Sequence, residues 1–216
     1  MAMPIGCPIN LHFPSRHALR RAMRDDIKQR ILGAVLAGGR ARRFGGDKAL
    51  ALLHGRPLIE HAAEALARHA AAIVICGRTH EPYPGLADRP GTDMGPLAGL
   101  NAALHHAAEE GFEAVLTTGC DMPVLPDALA QALIGEGAAI VEGQYLLGYW
   151  PSALAPKLDA HLRENSDRSV RAWLAAVGPR QVAASPLPNI NTPEDLERLQ
   201  DESSQPAWRD QARIQH

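Results

Sequence analysis

The chain has 216 residues, 46% of them hydrophobic and 21% charged, with a formal net charge of -2 at pH 7. That length suits one full core rather than two. The apolar share excludes disorder over most of the chain, and the near-neutral balance gives no general attraction to nucleic acid or acidic membranes, so any positive cluster acts locally.

Cys7, Cys76 and Cys120 stand far apart, which argues against a disulfide framework or a zinc knuckle and for a reducing compartment. No apolar run approaches the roughly 20 residues that span a bilayer, and the first residues lack the order of a secretory signal. A cytoplasmic location is the expectation. Residues 1–30 mix prolines, basic residues and scattered apolars without a period, and read as a loosely ordered extension. Residues 31–200 read as the one domain and 201–216 as a flexible tail.

From Ile31 the chain alternates in type. ILGAVL at 31–36 is a short apolar run ending in a glycine loop, the mark of a strand buried on both faces. PLIEHAAEALARHA at 57–70 puts Ile59, Ala62, Ala63 and Leu66 on one helical face, with Pro57 suited to a first turn. AAIVIC at 71–76 is the next strand. PLAGLNAALHHAAEEG at 96–111 is a helix striped by Leu97, Leu100 and Leu104 and stopped by Gly111. EAVLTT at 113–118 is a third strand and PDALAQALIG at 126–135 another proline-started helix. AAIVE and QYLLGYW give two more strands, followed by helices over 153–164 and 168–177. This alternation predicts an α/β, three-layer, Rossmann-like fold: a mostly parallel sheet with helices on both faces. Ligands of such sheets sit beyond the carboxyl ends of the strands, so the loops after ILGAVL, AIVIC and AVLTT carry the chemistry.

The first of these loops, LAGGRARRFGGDKA at 36–49, is neither GxxxxGK[ST] nor GxGxxG. Gly38 and Gly39 let backbone amides approach an anion, while Arg40, Arg42, Arg43 and Lys48 supply cations over about a dozen residues, a combination suited to a triphosphate. A solvated basic loop is the competing reading. TTGCDMPVLP at 117–126 places Asp121 at the same edge, as a magnesium ligand bridging to phosphates or as a turn residue before Pro123. In DRPGTDMGPLAGL at 88–100, Asp88 and Asp93 are candidates for ribose hydroxyls or base amino groups, though Asp93 reads better as a hydrated turn; Gly95 opens a helix whose free amides face outward. In NINTPEDL at 189–196, Thr192 and Pro193 start a helix, and Asn189 and Asn191 are free to meet a polar heterocycle.

Together these stretches resemble the molybdenum cofactor guanylyltransferase family, which attaches GMP to molybdopterin. LAGGRARRFGGDKA, GPLAGL, CDMP and NINTPEDL occur in the family's order over about residues 31–200. LAGG rather than LAAG, with NINTPE, leans toward guanylyl over cytidylyl transfer. The resemblance implies a nucleotide-diphospho-sugar transferase-like fold, magnesium as cofactor, and GTP and molybdopterin as partners. It also implies a monomer in transient contact with other cofactor-biosynthesis proteins. It assigns Leu36, Ala37 and Gly38 to the guanine and ribose pocket, Lys48 and Arg43 to the phosphates and catalysis, Asp88 to the nucleoside, and Asp121 to nucleotide, catalysis and metal. Gly39, Gly46, Gly95, Asn189 and Asn191 fall on positions the family uses. Cys76 stands where the family often has asparagine, and Ser169 replaces one of two arginines. The rivals are cytidylyl transfer to molybdopterin, nucleotidyl transfer to another phosphorylated metabolite, and a nucleotide-binding regulator without turnover.

Overall fold

All six residues of β1, Ile31–Leu36, are buried, as a strand covered on both faces requires. The computed structural model describes residues 25–38, 44–92 and 94–203. β1 leads through a 3-10 turn, Lys48–Leu50, and a two-stranded hairpin, β2 (Leu52–Leu53) and β3 (Arg56–Pro57), into α1, Leu58–Ala67. Then come β4 (Ala72–Cys76), β5 (Gly85–Leu86), α2 (Pro96–Glu109), β6 (Ala114–Gly119) and α3 (Asp127–Leu133). β7 (Ala139–Val141), β8 (Gln144–Pro151), α4 (Ala155–Glu164), α5 (Val170–Val177), β9 (Arg180–Val182) and α6 (Pro193–Ser203) complete the order.

Among the described residues, seven strands form one sheet in the order β5-β4-β1-β6-β8-β7-β9. β1 is parallel to both neighbours, with Leu36 opposite Cys76 on β4 and Gly119 on β6. β8 alone among the seven runs antiparallel to its neighbours. Alternation along β1 splits the core. Ile31 and Val35 face a layer containing Ile59, Leu66, Leu129 and Leu133 of α1 and α3. Leu32, Ala34 and Leu36 face Leu97, Leu104, Leu158 and Trp173 of α2, α4 and α5. The three predicted layers are therefore present, built on the period-2 and period-3.6 faces that meet across the sheet. The chain winds from β1 to β4 on one side and to β6 on the other, so the switch point of the sheet lies between β1 and β6.

A third apolar cluster joins sequence extremes. Leu53, Leu58 and Ile190 are buried together, with Phe44, Ala51, Leu196 and Leu199 packed against them. It docks the segment before α6 beneath the loop that follows β1. Burying a side chain such as Ile190, only 1% exposed, contributes about 1.5–3 kcal/mol.

The element boundaries differ from expectation in small ways with local causes. α5 begins at Val170 because Ser169 caps it, its Oγ accepting from the Ala172 amide at 3.1 Å. Helix α4 is preceded by a 3-10 turn, Ser152–Leu154, rather than running unbroken from residue 153. Residues 25–29 are helical, inside the stretch expected to be loose, and α6 continues past residue 200. Residues 1–24 and 204–216, which hold the rest of the expected extension and tail, lie outside the described residues. Among the described residues no helix is long and apolar enough to cross a membrane.

Candidate active site

A cavity of about 830 Å3 opens over the carboxyl ends of β1, β4 and β6. Its floor includes Leu36, Ala37 and Gly38 after β1, Cys76 and Gly77 after β4, and Gly119, Cys120 and Asp121 after β6. Gly46, Asp47, Lys48, Arg78, Asp88 and Gly95 supply its polar and flexible walls.

Lys48 opens the 3-10 turn. Asp47 caps that turn by accepting from the Ala49 amide at 3.2 Å, and Ala49 is itself buried. The turn therefore has an apolar anchor and a polar latch, and Lys48 is held between them. Its Nζ donates to Asp121 Oδ2 at 3.1 Å and to Asn191 Oδ1 at 3.2 Å. The two charged side chains are only 12% and 29% exposed, so their attraction is screened less than at an open surface. Asp121 sits in the turn after β6, and the Ile190 amide donates to its carbonyl at 3.0 Å. The NIN segment and the CDMP segment are thus bonded side by side, with the third apolar cluster below them.

Asp47 has a second partner. Arg78, just past β4, donates Nη1 to Oδ1 at 2.9 Å and Nη2 to Oδ2 at 2.8 Å. This fork holds the Asp47 carboxyl below the usual carboxylate range: its hydrogen bonds are the largest cause and outweigh the opposing effect of burial, and the adjacent Arg78 charge and the Ala49 amide lower it further.

Elsewhere in the lining the backbones of two loops nearly touch. Gly77 has φ +83°, and a Cβ built there would lie 2.5 Å from Gly38 Cα. Only glycine permits this approach. A Cβ on Gly38 would meet Asp88 Oδ2 at 3.4 Å, and one on Gly99 would meet Asp88 Oδ1 at 3.6 Å, so Asp88 lies over a surface made of small residues. Its loop is fixed from behind: buried Asn101 donates Nδ2 to the Arg89 carbonyl at 3.3 Å and to Asp159 Oδ1 at 3.0 Å. Burial drives the two described cysteines upward, Cys76 to about 12 and Cys120 to about 11, with the nearby Asp88 and Asp121 charges adding to each. Neither thiol suits a nucleophile's role.

Of the residues singled out from sequence, Leu36, Ala37, Gly38, Gly46, Lys48, Asp88, Gly95 and Asp121 share this cavity. Asn191 reaches it through Lys48. Asn189 does not line it: its Nδ2 faces Gln144 Oε1 at 3.4 Å, and its Oδ1 is buried without a hydrogen-bond partner among the described residues. Gly39, Arg40, Arg42, Arg43 and Asp93 lie outside the described residues. Sequence reasoning passed over Gly77, Arg78 and the pairing of Asp47. The available signal was position, because Gly77 and Arg78 directly follow AIVIC at the ligand edge of the sheet.

A magnesium ion is the metal to test against this geometry. Asp121 commits Oδ2 to Lys48, and Asp88 lines the same cavity. Among the described residues no group of three or more His, Cys, Asp or Glu is gathered as a cage. One or two carboxylates opposite a substrate's phosphates is how magnesium is commonly held, so the donor set fits.

Comparisons with known proteins bear on the whole domain. Over 189 residues the chain is 39% identical to a molybdenum cofactor guanylyltransferase of Rhodobacter capsulatus, covering 82% of this chain and 99% of that one. It is 34% identical to one of Sinorhizobium fredii, with 80% and 91% covered. A crystal structure of molybdopterin-guanine dinucleotide biosynthesis protein A from Archaeoglobus fulgidus superposes with a TM-score of 0.64 at 26% identity, over 80% of this chain and 98% of that one. The 2-C-methyl-D-erythritol 4-phosphate cytidylyltransferase of Thermus thermophilus, 17% identical with TM-score 0.56 over 81% of this chain and 98% of that one, shares the fold. The family profile described as the MobA-like NTP transferase domain matches residues 33–182, a span that holds the switch-point loops, Lys48 and Asp121, and the chain belongs to that family.

Proposed function

We propose that this chain is a molybdenum cofactor guanylyltransferase, transferring GMP from GTP to the terminal phosphate of molybdopterin and releasing pyrophosphate. The observation that carries the reading is the meeting of Lys48 Nζ with Asp121 at 3.1 Å on the wall of the cavity. It supports a site in which a fixed cation and a metal-holding carboxylate, side by side on one wall, face a phosphate chain in the cavity.

A phosphate monoester is largely dianionic near neutral pH, its second pKa being about 6, so its oxygen attacks the α-phosphorus of GTP without a general base. One phosphorus–oxygen bond forms to molybdopterin, the bond from the α-phosphorus to the oxygen bridging it to the β-phosphorus breaks, and its electron pair leaves on that oxygen with pyrophosphate. The chain's contribution is alignment and charge. Lys48 lies where negative charge builds, held by the capped turn beneath it. Ala37 and Gly38 bring backbone close to the nucleoside, and Asp88 faces them across the glycine surface. Asp121 would hold magnesium, with Asp88 in the same cavity; magnesium, when bound, supplies Lewis-acid neutralisation of the phosphate oxygens. Arg43, outside the described residues, belongs to the proposal as a further phosphate cation. The same proposal has the enzyme act as a monomer in the cytoplasm, receiving molybdopterin through transient contact with other cofactor-biosynthesis proteins.

The test is to incubate purified protein with molybdopterin, magnesium and an equimolar mixture of GTP, CTP, ATP and UTP, and to identify products by mass spectrometry. Molybdopterin guanine dinucleotide with one pyrophosphate per turnover is expected. Product carrying cytidine would move the chain to cytidylyl transfer, and tight GTP binding without pyrophosphate release would make it a regulator.

A further inference from the structure

We propose that Arg78 is a positioning residue of this site: through its fork to Asp47 it holds the Lys48 turn in register with Asp121. The proposal rests on the reading of Lys48 as a phosphate-facing cation and adds a member that the signature loop does not contain.

The argument follows the hydrogen bonds outward from Lys48. Lys48 sits at the start of a turn of only three residues, which has few backbone bonds of its own. Its N-terminal latch is Asp47, whose Oδ1 accepts from the Ala49 amide. A lone aspartate cap on a glycine-rich loop, with Gly45 and Gly46 immediately before it, has wide rotational freedom. Arg78 removes that freedom, because two parallel N–H···O bonds at 2.9 and 2.8 Å fix the carboxylate's plane as well as its position. Arg78 is in turn anchored where β4 ends in the sheet, directly after Gly77, whose amide donates to the Leu86 carbonyl at 2.9 Å. The turn is thereby tied to the rigid sheet at two points. Asp121 beyond β6 takes the ammonium, and Arg78 beyond β4 takes the cap. Arg78 is 26% exposed and Asp47 44%. A pair this accessible contributes little to global stability, so its consequence is local geometry.

A direct grip of Arg78 on the triphosphate is the competing explanation, since it lines the same cavity. The two are separable because the chain has only three lysines, Lys28, Lys48 and Lys157. Competitive acylation followed by mass spectrometry therefore reads the freedom of Lys48 without any substrate. If Arg78 works through Asp47, R78A and D47N should each raise the acylation rate of Lys48 about five- to tenfold relative to Lys157, as loss of a fixed cap would. The double variant should do no more than either single one. R78K, which has charge but no fork, should stay close to R78A. In the transfer assay the same variants should lower kcat more than they raise KM for GTP, because misplacement of Lys48 is felt most in the transition state.

Unchanged Lys48 acylation in R78A would overturn the proposal. So would effects of R78A and D47N that add in the double variant, or full recovery by R78K, each of which is the pattern of an arginine acting directly on phosphate. If the wild-type protein forms no dinucleotide at all, the function falls, while the acylation result still decides whether Arg78 holds the turn.

Discussion

Gly77→Ala isolates the closest backbone contact of the site. Carbon atoms pack at about 3.5–4.0 Å, whereas the new Cβ would stand 2.5 Å from Gly38 Cα and 2.8 Å from Gly38 N. Both obstacles are main chain, so relief requires the loops after β1 and β4 to part by about 1 Å. Alanine at φ +83° adds about 1–2 kcal/mol, and overpacking of this kind about 1–3 kcal/mol. A total of about 3 kcal/mol is survivable for a domain stable by about 5–15 kcal/mol. It should lower the thermal midpoint by about 6–12 °C for a chain of this size. Gly178→Ala is the control: it has φ +62° but nothing within 4 Å of the added carbon, and should cost only the conformational part, about 2–8 °C. Because a misplacement of about 1 Å can cost about a hundredfold in rate, kcat/KM for GTP should fall by that order in Gly77→Ala and stay near wild type in Gly178→Ala. Differential scanning fluorimetry and pyrophosphate release read the two quantities. Equal midpoints and equal rates for the two variants would refute the reasoning, since they would mean that the loops do not meet.

Asp121→Asn keeps the side chain's shape but not its charge, and should reduce turnover at least about a hundredfold. Normal product formation would remove Asp121 from the chemistry. Asp47 gives a pH signature. Its carboxyl is held below its ordinary value of 3.8 by Arg78, so the pair's stabilisation is present above that value and is lost as pH falls through the folded pKa. The urea-midpoint difference between wild type and Asp47→Asn should therefore be constant from about pH 7 down to about pH 5 and vanish in stronger acid; a difference growing toward low pH would contradict it. Cys120, pushed to about 11, should be alkylated by iodoacetamide at pH 8 at least about tenfold more slowly than a free cysteine peptide, read by site-mapped mass spectrometry. Equal rates would show that this half-buried thiol is not shielded from water as described.

Much of the architecture is written in local patterns. ILGAVL, AIVIC and AVLTT are legible as buried strands because no charged residue interrupts them, and Leu97, Leu100 and Leu104 make a helix face because 3.6-residue periodicity is a property of the chain itself. Position at strand ends then indicated Lys48, Asp88 and Asp121. The short strands β2, β3, β5 and β9 were not legible. Two or three residues carry no period, and such strands exist only because a neighbouring edge offers them hydrogen bonds.

By itself the sequence determined the layers, the ligand-bearing edge and the membership of the signature loop, since each depends on residues close along the chain. Tertiary structure decided who meets whom. That Lys48 contacts Asp121 and Asn191, 73 and 143 residues away, that Arg78 locks Asp47, and that Asn189 turns from the cavity to Gln144 are consequences of β4 and β6 both pairing with β1. Ile190 anchoring its segment in the third apolar cluster completes that arrangement. Such pairings depend on sheet order and loop docking, and spacing within one short stretch holds no record of either.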